Sequence, residues 1–106
     1  MIQHIVLFRF RDEIDERQIS EVMEGFGKLR EILPEIASFS WGFNNSPEGL
    51  NRGHQAGFVM GFRSNEDRAR YLEHPEHKNY AGNVALPLLV GGVDGVLVFD
   101  FAGKEE

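Results

Sequence analysis

Cysteine is absent from the 106 residues, which removes disulfides, thiolate metal ligands and a cysteine nucleophile from consideration and suits a reducing compartment. Positive charge is scarce as well: 11 Lys and Arg stand against 17 Asp and Glu, a formal net charge of −6. A nucleic-acid surface needs clustered Lys and Arg to neutralise phosphates, so no nucleic-acid partner is expected. No stretch approaches the roughly 18 apolar residues of a membrane-spanning helix. The first ten residues, MIQHIVLFRF, are interrupted by Arg9 and do not have the form of a secretory leader. The expectation is a cytoplasmic protein with no membrane partner. The one glycine-bearing turn that could suggest a phosphate loop, NNSPEGL, has no GK[ST] element, and no cofactor is expected. There is no internal repeat and no low-complexity segment.

What is present is a globular composition, with 42% hydrophobic residues, nine Phe and 26% charged residues. The length suits one domain over residues 1–106, able to bury about two-thirds of its unfolded surface. Residues 2–10, IQHIVLFRF, are rich in β-branched and aromatic side chains and predict a strand with His4, Val6, Phe8 and Phe10 on one face. From Asp15 the period changes. Ile19, Val22, Met23, Phe26, Leu29 and Leu33 form a helical stripe, Asp15 with Gln18 has the spacing of a capping box, and Pro34 marks the stop. Residues 36–43, IASFSWGF, alternate as a second strand, with Ala37, Phe39, Trp41 and Phe43 on one side. Residues 44–54 are loop and 55–63 a third strand. Ser64 can cap a helix that breaks at Pro75, after which His77, Tyr80 or Ala81, Val84 and Leu88 are expected on one face. Residues 91–101 supply the last strand, with Asp94-Gly95 either a bulge or its true start.

The order β-α-β-β-α-β predicts an α+β, ferredoxin-like fold: a four-stranded antiparallel sheet with both helices on one face. Yet strands one, three and four carry large apolar residues on both faces, for example Leu97 and Phe99 opposite Val96 and Val98. The face away from the helices therefore needs a cover, and a homodimer through the sheet face is the economical one.

The segments HIVLFRF, WGFNNSPEGLNRGHQAGFVMGF, YLEHPEHKNY and GVLVFDF follow one another over nearly the whole chain. Together, and most specifically in the HPxH motif after a tyrosine, they resemble the stress-responsive dimeric α/β barrel (Dabb) family. The resemblance implies two ferredoxin-like subunits whose sheets close a dimeric α/β barrel. Most members have no assigned reaction; one is a plant polyketide cyclase that performs an intramolecular aldol condensation. Similarity to it puts a catalytic histidine at His77, its tyrosine partner at Tyr71, and a pocket-lining histidine at His4.

Such chemistry needs a base near neutrality and a donor for a developing oxyanion, roles that imidazole and phenol can fill. His77 would be the base and Tyr71 the donor. A purely structural reading competes with this: His77 hydrogen-bonds across the helix break while the Tyr71 ring packs beneath it. A metal site built from His74, His77 and Glu73 or Glu76 is a third reading, weakened because Pro75 disturbs the helical register; no metal is expected. His4, Trp41 and Phe58 are expected to line a ligand site, although each also suits a core. His54 is expected exposed or paired with a carboxylate. The functional expectation is a homodimer that binds a small hydrophobic or carbonyl-containing ligand. The alternatives are a cyclase- or lyase-like enzyme and, by fold analogy alone, a monooxygenase-like barrel.

Overall fold

The structure, a computed structural model, describes residues 1–104. Four strands, β1 (Ile2–Phe8), β2 (Ile36–Phe43), β3 (Ala56–Phe62) and β4 (Val96–Ala102), form one antiparallel sheet in the order β2-β3-β1-β4. Helix α1 (Glu16–Lys28) connects β1 to β2, while α2 (Asn65–Glu73) and α3 (Pro75–Tyr80) connect β3 to β4. This is the ferredoxin-like arrangement. Among the described residues, no helix is long and apolar enough to cross a membrane.

Helix α1 begins where its sequence says it should. The Asp15 carboxylate accepts from the Gln18 amide at 2.8 Å and the Gln18 side chain accepts from the Asp15 amide at 3.0 Å, a complete capping box. Its stripe of Ile19, Val22, Met23 and Phe26 is buried against Val6, Phe8, Phe58 and Met60 of the sheet. Phe26 sits 5.0 Å from Phe58 and 5.6 Å from Phe8, ring to ring. Each such side chain contributes roughly 1.5–3 kcal/mol on burial.

Register assigns the two faces. His4, Val6 and Phe8 pair with Asp100, Val98 and Val96 on one side and with Met60, Phe58 and Ala56 on the other, and all point toward the helices. The opposite face carries Gln3, Ile5 and Leu7 of β1, Gly57, Val59 and Gly61 of β3, and Leu97, Phe99 and Phe101 of β4. Among the described residues no helix lies over it, and Phe99 is 60% exposed. Helices α1 and α2 pack chiefly on β2 and β3, while β4 pairs with β1 and follows the turn that precedes it. That asymmetry leaves room between β4 and the α2–α3 corner.

Three boundaries differ from expectation. β1 ends at Phe8, not Phe10; Phe10 is bridged to Leu89, and the Gln55 side-chain amide imitates a strand by accepting from the Phe10 amide and donating to its carbonyl, at 2.8 and 3.0 Å. β4 starts at Val96, because Gly91 and Gly92, both at positive φ, lead the chain into a 3₁₀ turn over Gly92–Gly95. The segment after α3 is not regular helix: residues Ala81–Ala85 widen into a π-turn and Leu86–Leu88 tighten into a 3₁₀ turn. The extra residue in the π-turn rotates the register. Val84, expected inside, is 41% exposed, and Ala85 takes the buried position.

Candidate functional site

A cavity of about 250 Å³ occupies the space between the β1–β4 side of the sheet and the α2–α3 corner. Its polar wall is made by His4, Tyr71, His77 and Asp100, and the remainder is apolar, with Val6, Phe8, Phe58 and Leu86 among the lining residues.

His4 is buried in β1, and the antiparallel register sets it directly opposite Asp100 on β4. Its Nδ1 lies 2.7 Å from Asp100 Oδ1. A carboxylate only accepts, so Nδ1 carries the proton and, in the neutral ring, Nε2 keeps a free lone pair. The second oxygen, Asp100 Oδ2, accepts from Arg68 Nη1 at 3.1 Å, and Arg68 is steadied by Asn65 on the same helix at 3.3 Å. A carboxylate drawn this far from water is costly unless its oxygens are paired, and both are.

Tyr71 is the last inward-facing residue of α2 and has no exposed surface. Its ring packs 5.3 Å from Phe62, 6.0 Å from His4 and 4.2 Å from His77. Burial pushes its phenol well above the usual tyrosine range, so the hydroxyl remains a neutral donor at any physiological pH. Among the described residues, that hydroxyl has no hydrogen-bond partner. Buried polar groups are nearly always satisfied, and an orphan costs about 1–3 kcal/mol.

His77 is placed by the helix break. Pro75 starts α3, and the preceding His74 is extended, as a residue before proline prefers. His74 Nδ1 accepts from the Glu76 amide at 3.1 Å and so caps α3. One turn on, His77 Nδ1 lies 3.2 Å from the Leu72 carbonyl, back across the break. Because a carbonyl only accepts, this nitrogen also carries the proton, and Nε2 is left as a base. Burial pulls the His77 pKa down, partly opposed by the Leu72 carbonyl and reinforced by the nearby His4 and Lys78. The ring is therefore neutral near pH 7 and able to accept a proton.

Of the expected site residues, His4, Phe58, Tyr71 and His77 converge on one cavity. Trp41 does not: it is half-buried on β2 beside Phe43, with ring centroids 5.5 Å apart, and lies outside the cavity. His74 works as a cap, and His54 Nδ1 bonds the Asn51 carbonyl at 2.9 Å rather than a carboxylate. Among the described residues, no group of three or more His, Asp or Glu side chains is disposed to hold a metal. Asp100 and Arg68 escaped sequence reasoning. A lone acid within the apolar run VLVFDF was the available signal, but only the strand register places it against His4.

A family model for the Stress responsive A/B Barrel Domain matches residues 2–102. The stress-response A/B barrel domain-containing protein HS1 of Arabidopsis thaliana is 31% identical over 100 residues, covering 94% of this chain and 87% of that protein. Olivetolic acid cyclase of Cannabis sativa is 25% identical over 104 residues, 98% of each chain. Among solved structures, a dimeric ferredoxin-like protein of unknown function from Jannaschia sp. CCS1 superposes with a TM-score of 0.83 at 26% identity, covering 96% of this chain and 98% of that one.

Proposed function

Because the chain belongs to the stress-responsive A/B barrel domain family, whose model spans residues 2–102, we propose that it acts as a homodimer, each subunit binding a small hydrophobic ligand that bears a carbonyl group. The observation that supports this reading is the unpartnered hydroxyl of Tyr71, a residue that lines an apolar cavity. A carbonyl oxygen is an acceptor that would satisfy this donor, and the apolar lining suits the rest of such a molecule. The dimer is supported by the exposed apolar sheet face and by the dimeric relative from Jannaschia.

The reading is tested with a matched pair of probes, 4-phenylbutan-2-one and butylbenzene, which share a shape and differ in the carbonyl. The ketone is expected to bind the wild type more tightly, and Tyr71→Phe to weaken the ketone by about tenfold while leaving the hydrocarbon unchanged. Equal affinity for both probes in both proteins, or no binding of either, overturns it.

A cyclase- or lyase-like activity is a second reading, favoured by the Leu72 contact that leaves His77 Nε2 basic. His77 would remove a proton from carbon next to the ligand carbonyl while Tyr71 donates to the enolate oxygen. The enolate would add to a second carbonyl carbon, whose new alkoxide takes the proton back from His77. His77→Ala should then abolish turnover of a substrate yet spare ketone binding; retained turnover removes this second reading.

A further inference from the structure

Arg68 stands one helical turn before Tyr71 on α2 but does not line the cavity. Its reach ends on Asp100, which does. Asp100 Oδ2 accepts from Arg68 Nη1 at 3.1 Å, while Oδ1 lies 2.7 Å from His4 Nδ1. Arg68 Nη2 donates in turn to the Asn65 side chain, so the guanidinium is braced from its own helix. One carboxylate thus lies between a group that is always cationic and a group that can become so. Among the described residues these are the two ion-pairing partners of Asp100. The remaining titratable groups that face His4 are Tyr71 of α2, which burial keeps as a neutral phenol, and His77 of α3, which burial holds neutral near pH 7.

We infer that Arg68 is a positioning residue: it takes up the Asp100 charge, keeps His4 neutral with Nε2 as a hydrogen-bond acceptor toward the cavity, and thereby selects a ligand with a hydroxyl close to its carbonyl. This rests on the carbonyl-ligand reading above and names the second polar group of that ligand. An unshared carboxylate within hydrogen-bond distance of an imidazole favours the imidazolium. Here the carboxylate is shared, and a second cation placed on it would stand against the guanidinium already there. His4 therefore donates the one N–H of a neutral ring to Asp100 and turns a lone pair to the cavity. The Tyr71 and His4 rings are 6.0 Å apart, which lets one small head group reach both. A carbonyl oxygen meets the phenol, and a hydroxyl on a neighbouring carbon donates to Nε2. Without the guanidinium the sense reverses. An imidazolium presents N–H at both nitrogens, donates to a hydroxyl or an ether oxygen alike, and no longer tells one from the other.

Two substitutions separate charge from packing: Arg68→Met keeps most of the side chain's bulk and removes its charge, while Arg68→Lys keeps a charge. Imidazole nitrogen-15 spectra at pH 7.5, taken without ligand, are expected to show His4 with one protonated and one bare nitrogen in the wild type and in Arg68→Lys. In Arg68→Met they should move toward two protonated nitrogens, and adding Asp100→Asn to that variant should return the ring to its neutral spectrum. The ligand arm compares 1-hydroxy-4-phenylbutan-2-one with its methyl ether. The wild type should prefer the hydroxyketone by about tenfold, and in Arg68→Met that ratio should fall to within about twofold. A His4 spectrum that Arg68→Met leaves unchanged, or that both substitutions change alike, overturns the role of Arg68. A wild type that binds both probes equally overturns the hydroxyl. If neither probe binds, the carbonyl-ligand reading falls and the hydroxyl with it, while the spectra still decide the role of Arg68.

Discussion

The imidazole of His77 has one nitrogen held by the Leu72 carbonyl and a ring half withdrawn from water, so its charged form is disfavoured in the folded protein. A histidine whose folded pKa lies below its unfolded value, near 6.5, binds fewer protons folded than unfolded. Its contribution to stability is therefore present above about pH 6.5 and is lost as pH falls through the folded value. Thermal melts at pH 7.5 and pH 5 should show a larger loss of stability in the wild type than in His77→Gln; equal losses would mean that His77 titrates as freely folded as unfolded. Asp100 poses a different question, because it serves His4 and Arg68 at once. Asp100→Asn removes the charge that Arg68 faces and exchanges a double acceptor for an amide. With the pair partly open to solvent, a cost of about 1–3 kcal/mol in urea unfolding is expected. Tyr71 and His77 could be singled out from sequence because the motif that carries the family resemblance, YLEHPEH, is contiguous. Asp100 could not, since 96 residues separate it from His4 and only strand pairing brings them together.

Helical segments decide where those residues point. Proline at the start of α3, the extended His74 before it and the capping box of α1 are local chemistry, and local chemistry is legible in sequence. The π-turn at Ala81–Ala85 is not. Its sequence, AGNVA, keeps an ordinary helical spacing, and the widening shows only in which residues are buried. The same region makes a contact that fixes α3 against α1. The Tyr80 hydroxyl donates to the Val22 carbonyl at 2.8 Å, and its ring stands edge-on to Phe26 at 4.8 Å. A Cβ at Gly25 would collide with that hydroxyl. Gly25→Ala should therefore cost about 1–3 kcal/mol despite the better helix propensity of alanine. Tyr80→Phe in the same background should return part of the loss, and strict additivity of the two changes in chemical denaturation would refute the collision.

For the whole molecule, the alternating apolar pattern of the strands announced a sheet with two buried faces, and the single layer of helices announced that one face needed a cover. What the pattern could not announce was which residues share a level across that face, because the levels exist only once four strands are ordered and in register. The proposed contact through the open sheet face, which presents no charged side chain on β1, β3 or β4, has a solution signature. The formal net charge is −6, so association through that face would bring like charges together around an uncharged contact. Added salt screens that repulsion and weakens no attraction. Dimer affinity measured by sedimentation should stay level or rise between low and moderate salt; a steep fall would place ion pairs in the contact. β4 ties the two halves of the molecule together: Val96, Val98 and Asp100 serve the cavity, while Leu97, Phe99 and Phe101 serve the open face. Because the two sets interleave with a period of two, the strand tolerates no change in residue count. Inserting one residue before Phe99 would send the carboxylate into an apolar seam and an aromatic ring toward His4, so ketone binding and the dimer's mass should disappear in the same variant. The strand behaves like a reading frame, with two messages written in alternate letters.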